Sequence, residues 1–366
     1  MLTKFVVKNY RGFSERVEWN LSRHRDYDFN SFVIRDGIIK NGIIYGANGS
    51  GKSNLGLALF DIENHLSAKW KKVDYFDNYT YAGNKDLIVD FEYHFKFPNY
   101  NIKYNYSKNY LGVILNEQME VNSETIFSTY NNFYINKDKF SINDSAMDNL
   151  KNNANKISII NYLLNFYPLP KDHYLILLLQ FVNSMLWFKS LDSREFIGLE
   201  ASGSANIEEF IIKNNLIKDF SDFLESVSGQ IFIFPAHQPN EKMLFCEIDG
   251  NSVPFSLIAS TGTKTLELLY YWLKRMNTAS FVFIDEFDAF YHYRVSYEVC
   301  KRLFNLDTQV FLSSHNTYLM KNDLLRPDCN FIIDGKNIKP LCDCTEKDLQ
   351  FGHNIEKLFR GNAFKI

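Results

Sequence analysis

No apolar run in this 366-residue chain is long enough to cross a bilayer. The longest, Tyr174 to Phe188, is interrupted by Gln180, Asn183 and Ser184 and reads as a buried helix. Cysteine is scarce: five residues without framework spacing exclude a disulfide scaffold and suit a reducing cytosol. Cys329, Cys342 and Cys344 lack a fourth ligand at a metal-site spacing. Excess charge is missing too. A net charge of −3 gives no global basic field for nucleic acid, and the local cluster Lys69-Trp70-Lys71-Lys72 reads as a solvated helix end. No heptad is sustained, which excludes coiled-coil arms, and there is neither an internal repeat nor a low-complexity linker. Lys4 and Lys8 break the apolar N-terminal stretch, so it is not a secretory signal. What remains is the expectation of a cytoplasmic globular protein, 46% hydrophobic and too long for one compact lobe.

Against that background one segment stands out. Residues 46–53 read Gly-Ala-Asn-Gly-Ser-Gly-Lys-Ser, a complete G-x-x-x-x-G-K-S phosphate-binding loop. At average residue frequencies a chain of this length matches the bare pattern by chance on the order of 1% of the time, so a mere Gly-rich turn is a poor explanation. Gly46, Gly49 and Gly51 let the backbone turn its N–H groups toward a phosphate chain. Lys52 is expected to reach the β- and γ-phosphates and Ser53 to bind Mg²⁺, with Asn48, Ser50 and Asn54 completing the nucleotide-binding set. Ile43, Ile44 and Tyr45 predict a strand before the loop. Leu55, Ala58, Leu59, Ile62 and Leu66 recur at helical spacing after it, so a helix N-terminus faces the anion.

The second half supplies partners for that loop. Phe281 to Ile284 is all apolar, as in a central parallel strand, and ends in Asp285-Glu286. Asp285 is expected to hold Mg²⁺ beside Ser53, and Glu286 to take a proton from an attacking water. A further strand, Gln309 to Leu312, leads to His315 at its carboxyl end, where open α/β sheets contact their ligands and a γ-phosphate contact is expected. Ser260 or Thr261 caps a helix marked by Leu266, Leu269, Tyr270 and Leu273, and its start carries Gly262 and free N–H groups.

Phosphate loop, long insertion, Ser-x-Gly helix start, Asp-Glu strand and His strand follow the order of the ABC-class ATPases. The chain resembles the OLD/RecF/SMC-like group of that class, including the stand-alone AAA-family ATP-binding proteins of phage-defence and abortive-infection operons. The opening Phe5-Val6-Val7-Lys8-Asn9-Tyr10-Arg11-Gly12-Phe13 is similar to theirs, as are Ser260-Thr261-Gly262-Thr263-Lys264, Ile284-Asp285-Glu286-Phe287-Asp288, His292, Ser314-His315-Asn316 and the tail from Asn354 to Gly361. Thr261 departs from the transporter-type signature, which has Gly there. Four glutamines, Gln118, Gln180, Gln230 and Gln238, are open for the Mg²⁺-sensing position. The resemblance implies a P-loop NTPase of ABC-ATPase head type, with a mixed, mainly parallel sheet, an antiparallel β subdomain and a helical insertion. It implies ATP and Mg²⁺ as cofactors and ATP hydrolysis with Glu286, Lys52 and His315 as catalytic residues. It also implies a head-to-tail homodimer sandwiching two ATP·Mg²⁺, with Ser260 and Gly262 acting in trans; assembly above the dimer stays open.

In coarse outline, residues 1–140 read as an N-lobe with the phosphate loop and an antiparallel meander. Its strict alternation puts Phe91, Tyr93, Phe95 and Phe97 on one face, continued by Ile102, Tyr104 and Tyr106 and by Val113–Leu115 and 125–130. Residues 141–229 read as a helical insertion suited by position to docking a partner. Residues 230–366 read as a C-lobe whose strands resume at Ile231 and whose last two are joined by an Asp334-Gly335 turn. Only about fifty residues follow His315, too few for an appended nuclease domain, and they lack an acidic cluster for two-metal cleavage. The expected output is therefore a sensor or gate in an anti-phage complex whose effector, a nuclease, is separately encoded. The alternative is a RecF-like DNA-binding ATPase in repair. A transporter subunit is disfavoured by the Asn-Tyr-Arg-Gly-Phe opening, and no membrane partner is expected.

Overall fold

A computed structural model describes residues 1–67, 75–137, 139–140, 142–190, 196–199, 206–235 and 237–365. The Lys69–Lys72 cluster lies outside the described residues. Two seven-stranded sheets organise the chain. The first is antiparallel and runs, in spatial order, Tyr134–Ile135, Glu124–Ser128, Ile114–Val121, Asn101–Asn109, Ile88–Lys96, Leu2–Lys8 and Val17–Asn20. Its alternating sequence has the expected consequence: Phe91, Tyr93, Phe95, Ile102, Tyr104 and Tyr106 are all buried on one face. The strand expected at Val113–Leu115 is longer, reaching Val121.

The second sheet carries the chemistry. Its order is Phe196–Gly198, Met185–Lys189, Phe281–Asp285, Gln309–Ser314, Asn41–Tyr45, Asn330–Ile333 and Ile338–Pro340. The five middle strands are parallel and the two edge strands antiparallel. The parallel strands are apolar because both faces are covered.

A short helical layer lies between the sheets. Behind the phosphate loop the chain forms helices Lys52–Leu59 and Asp61–Leu66, where one continuous helix was expected. The break at Phe60 has a tertiary cause. The Tyr93 hydroxyl sits 3.2 Å from the carbonyl oxygens of both Ala58 and Leu59. The Asp61 carboxylate accepts hydrogen bonds from Tyr106 and Lys108 of the antiparallel sheet and from Tyr75 and Tyr79 in the segment before it. On its opposite face this layer presents Gly56, where a Cβ would come within 2.8 Å of Phe283 and Trp187 of the parallel sheet. Trp19 joins the sheets directly, its ring 4.8 Å edge-on to Phe311 and 5.8 Å edge-on to Phe331. The Gln309 side chain closes the same seam by bonding both N–H and C=O of Leu2.

The expectation of an all-helical stretch over 141–229 is corrected. Helices Asp144–Asn153, Ile159–Phe166, Tyr174–Asn183, Ile207–Lys213 and Ile217–Ser228 are present, but Met185–Lys189 is a strand inside the parallel sheet. The Tyr174–Phe188 run is thus a helix followed by a strand. Apolar runs this short carry no period that separates a buried helix from a buried strand, and Ser184 marks the change by capping back on Gln180. The strand expected from Ile231 is also absent. Ile231–Phe234 is extended without ladder pairing, burying Phe232 partly while Ile231 and Ile233 stand exposed. The late strands Asn330–Ile333 and Ile338–Pro340 pair as expected across the Asp334-Gly335 turn.

Candidate functional site

Three neighbouring parallel strands, Phe281–Asp285, Gln309–Ser314 and Asn41–Tyr45, end on the same edge of the sheet, and each delivers part of the site. Asn41–Tyr45 runs into the phosphate loop. Gly46 admits no side chain: a Cβ there would lie 2.3 Å from Ser50 Oγ and 2.5 Å from the Ile333 carbonyl. Gly49 and Gly51 have φ of +77° and +96°, conformations that glycine adopts without steric cost. Lys52 folds back over the loop, and its Nζ donates to the carbonyls of Gly46 at 2.8 Å and Ala47 at 3.0 Å. Desolvation lowers the Lys52 pKa from its ordinary value, opposed by Asp285 and Glu286. Ser50 Oγ is buried without a partner, while Ala47, Asn48 and Gly49 are exposed at the loop tip.

Asp285 is wholly buried at its strand end. Ser313 Oγ donates to Asp285 Oδ1 at 2.6 Å, and the Ser53 hydroxyl lies beside the same carboxyl group. Oδ2 has no hydrogen-bond partner. Burial raises the Asp285 pKa, with Ser313 and Ser53 opposing. A buried carboxylate oxygen left without a donor costs stability, so its retention beside a serine and a lysine fits a cation site. Glu286 leaves the strand with φ +49°, and its N–H donates to Ser313 Oγ at 2.8 Å. The same Ser313 hydroxyl thereby fixes both acidic residues. One strand over, Ser314 Oγ reaches both oxygens of Asp288 at 2.9 and 2.8 Å, anchoring the turn that follows Glu286.

His315 follows Ser314, which lies in register with Tyr45, so the ring emerges beside Gly46. Desolvation, then the Lys52 charge, hold the imidazole below its usual pKa, opposed by Glu286 and Asp285. Lys52, Ser53, Asp285, Glu286 and His315 therefore come together at the carboxyl ends of these strands.

Ser260 and Gly262 lie elsewhere. Ser260 caps the helix Thr261–Leu273, accepting from Thr263 N–H at 3.2 Å. Thr263 Oγ1 donates to Gln230 Oε1 at 2.9 Å, and a Cβ on Gly262 would meet the Phe290 carbonyl at 2.9 Å. Ser260 itself is exposed. Among the described residues neither it nor Gly262 has a hydrogen bond to the phosphate loop. The four open glutamines are dispersed: Gln118 bonds Glu120 in the antiparallel sheet, Gln180 is on the helix Tyr174–Asn183, Gln230 braces Thr263, and Gln238 holds Pro235 and Phe245.

Sequence reasoning missed three contributors. Phe13 places its ring 2.6 Å from where a Gly51 Cβ would stand, and Asn54 reaches within 2.9 Å of the Gly12 position, so the opening segment buttresses the loop. Ser313 links Asp285 to Glu286. Lys189 ends the strand beside Asp285, and its Nζ lies 3.6 Å from Glu286 Oε2. The only local signal for Lys189 is a polar residue closing the apolar run Met185–Phe188. A cavity of about 830 Å³ is lined by 25–29, Cys342 and 345–352 and shares no residue with this site.

Among the described residues no helix is long and apolar enough to cross a membrane. Residues 43–321 match a family model described as "AAA domain, putative AbiEii toxin, Type IV TA system". No curated protein sequence matches. Among solved structures, the chain is similar to an SMC head bound to the C-winged helix domain of ScpA, at 15% identity and TM-score 0.46, covering 92% of this chain and 96% of that one. The Thermotoga maritima SMC head domain is 17% identical with TM-score 0.43, covering 93% and 98%. A Pyrococcus furiosus SMC head with an extended coiled coil, bound to the C-terminal domain of ScpA, is 14% identical with TM-score 0.45, covering 92% and 95%.

Proposed function

The chain belongs to this family of AAA domains, and on that footing we propose that it binds ATP·Mg²⁺ and hydrolyses it. The observation that carries the reading is the convergence of Lys52, Ser53, Asp285, Glu286 and His315 at three adjacent strand ends, with Asp285 Oδ2 unpartnered among them. Ser53 and Asp285 would hold Mg²⁺; Lys52 and the loop N–H groups would hold the phosphates. Held there, Mg²⁺ would supply charge neutralisation on the phosphoryl group. Glu286 draws the proton from the attacking water, and His315 offers an N–H to the transferred group. Lys52 exchanges its two neutral loop carbonyls for anionic phosphate oxygens, which bind an ammonium more strongly.

In this proposal the exposed Ser260 cap and Gly262 serve the nucleotide of a second copy. One chain carries a single phosphate loop and a single Ser-x-Gly helix start, so a closed two-fold pair completes both sites. The biological output is a sensor or gate in an anti-phage complex with a separately encoded effector, a nuclease. The family description names a putative toxin of a type IV toxin–antitoxin system, which supports work alongside a second, separately encoded protein. Helices Asp144–Asn153 and Ile159–Phe166 are the proposed docking surface.

Glu286→Gln is expected to bind ATP, accumulate closed dimers and hydrolyse at least a hundred-fold more slowly (~10²–10⁴ for loss of a positioned base). Lys52→Ala is expected to lose nucleotide binding. An undiminished rate in the first, or retained ATP affinity in the second, overturns the assignment. Tagged Glu286→Gln protein trapped with ATP in its host should bring down a stoichiometric small effector. Salt-sensitive, ATP-dependent capture of DNA without protein would instead favour the repair clamp.

A further inference from the structure

The scheme above leaves one cation beside the general base without a task. Lys189 closes the strand Met185–Lys189 and stands in register with Asp285. The next residue keeps the two strands together, Ser190 N–H donating to the Asp285 carbonyl at 3.2 Å. Lys189 Nζ lies 3.6 Å from Glu286 Oε2. In the sheet, its strand is on the opposite side of Phe281–Asp285 from the phosphate-loop strand. Lys52 lies with the phosphate loop on one side, and Lys189 faces Glu286 from the other.

Folding does not explain the pair. The two side chains are 28% and 29% exposed, and ion pairs of that exposure contribute little to stability. Geometry gives a better reason. Glu286 has just turned out of its strand with φ +49°; Ser313 Oγ and the Ala289 N–H hold its backbone, and among the described residues Lys189 is the ion-pair partner of its carboxylate. A carboxylate on a flexible side chain at such a turn needs a second restraint to point one way. None of the four glutamines considered for this region ends a parallel strand; the side chain that does so beside Asp285 is a lysine, a point charge on a long stem.

Resting on the ATPase reading, we propose that Lys189 is the positioning residue for Glu286. Its ammonium holds the carboxylate over the end of the Asp285 strand, toward the place where water attacks. Lys189 acts through Glu286 and does not itself ligate the phosphates, so its loss lowers turnover and leaves ATP binding intact.

The test is single-turnover ATP hydrolysis with ATP affinity measured in parallel. Lys189→Met is expected to slow hydrolysis about ten-fold, within the 10²–10⁴-fold that a positioned base contributes, with Kd changed less than about two-fold. Lys189→Arg is expected to recover most of the rate, which a merely structural loss would not allow. In a Glu286→Gln background, Lys189→Met is expected to add no further loss, since the two residues act as one unit. An unchanged rate in Lys189→Met, or the same loss in both backgrounds, overturns the proposal while Glu286-dependent hydrolysis stands. Absence of Glu286-dependent hydrolysis in the unsubstituted chain overturns the parent reading, and this one with it.

Discussion

Replacing Glu117 by Gln is expected to stabilise the protein at alkaline pH and to do almost nothing at acid pH. Glu117 is buried in the antiparallel sheet, where Tyr104 Oη donates to its Oε1 at 2.6 Å and Ile159 N–H to its Oε2 at 2.9 Å. Burial outweighs these donors and raises its pKa from 4.5 to about 7. Between those two values the folded chain keeps a proton that the unfolded chain has released. Stability is therefore undiminished below pH 4.5 and falls as pH rises through 7. Each pH unit of separation is worth 1.36 kcal/mol, so the full cost above pH 7 is about 3 kcal/mol. Glutamine has the shape of the protonated acid, keeps one acceptor oxygen for these donors, and has no proton to lose. Urea unfolding of both proteins at pH 4.5, 6 and 8 should show a gap growing from near zero to roughly 3 kcal/mol in favour of Glu117→Gln, with m unchanged. The competing account makes Glu117 an anion paired with His65, whose Nε2 lies 3.9 Å from Oε1. A Gln variant less stable than the parent at pH 6 to 8 would establish that pair and refute the reasoning.

Two further outcomes follow from the site. Gly51→Ala meets both a φ of +96° and the Phe13 ring at 2.6 Å, so it should destabilise by about 1–3 kcal/mol and weaken ATP binding at least ten-fold, read by thermal melting and calorimetric titration. Asp285→Asn should abolish the Mg²⁺ dependence of ATP affinity without lowering the melting temperature, because the buried carboxylate oxygen it replaces has no partner; a fall in stability with Mg²⁺ dependence retained would remove Asp285 from the metal site.

The segments that form the proposed nucleotide site were legible because each is a local word. A glycine-lysine-serine loop after Asn41–Tyr45, an acidic pair after an apolar strand and a serine cap before Thr261–Leu273 each depend on neighbours within a few residues. The alternation from Val89 to Tyr106 is equally local, since period two assigns faces without knowing what covers them. Other readings failed where the answer lay on a distant segment. Leu55 to Leu66 has the spacing of one helix, yet Tyr93, thirty-four residues beyond Leu59, sits within hydrogen-bonding distance of the carbonyls at the break. Met185–Phe188 looks like more of the preceding helix until Phe281–Ile284 is there to pair with it.

By itself, then, the sequence determined the phosphate loop, the residues bearing charge at the strand ends and the wet and dry faces of the meander. These follow from backbone stereochemistry and hydrophobic period, which act over one or two turns of chain. Only the tertiary structure decided that Phe13 braces Gly51, that one Ser313 hydroxyl serves Asp285 and Glu286 together, and that Lys189 faces Glu286. Each of these is a contact between elements far apart in the chain, selected by which strands become neighbours in the parallel sheet, and no local pattern encodes that order.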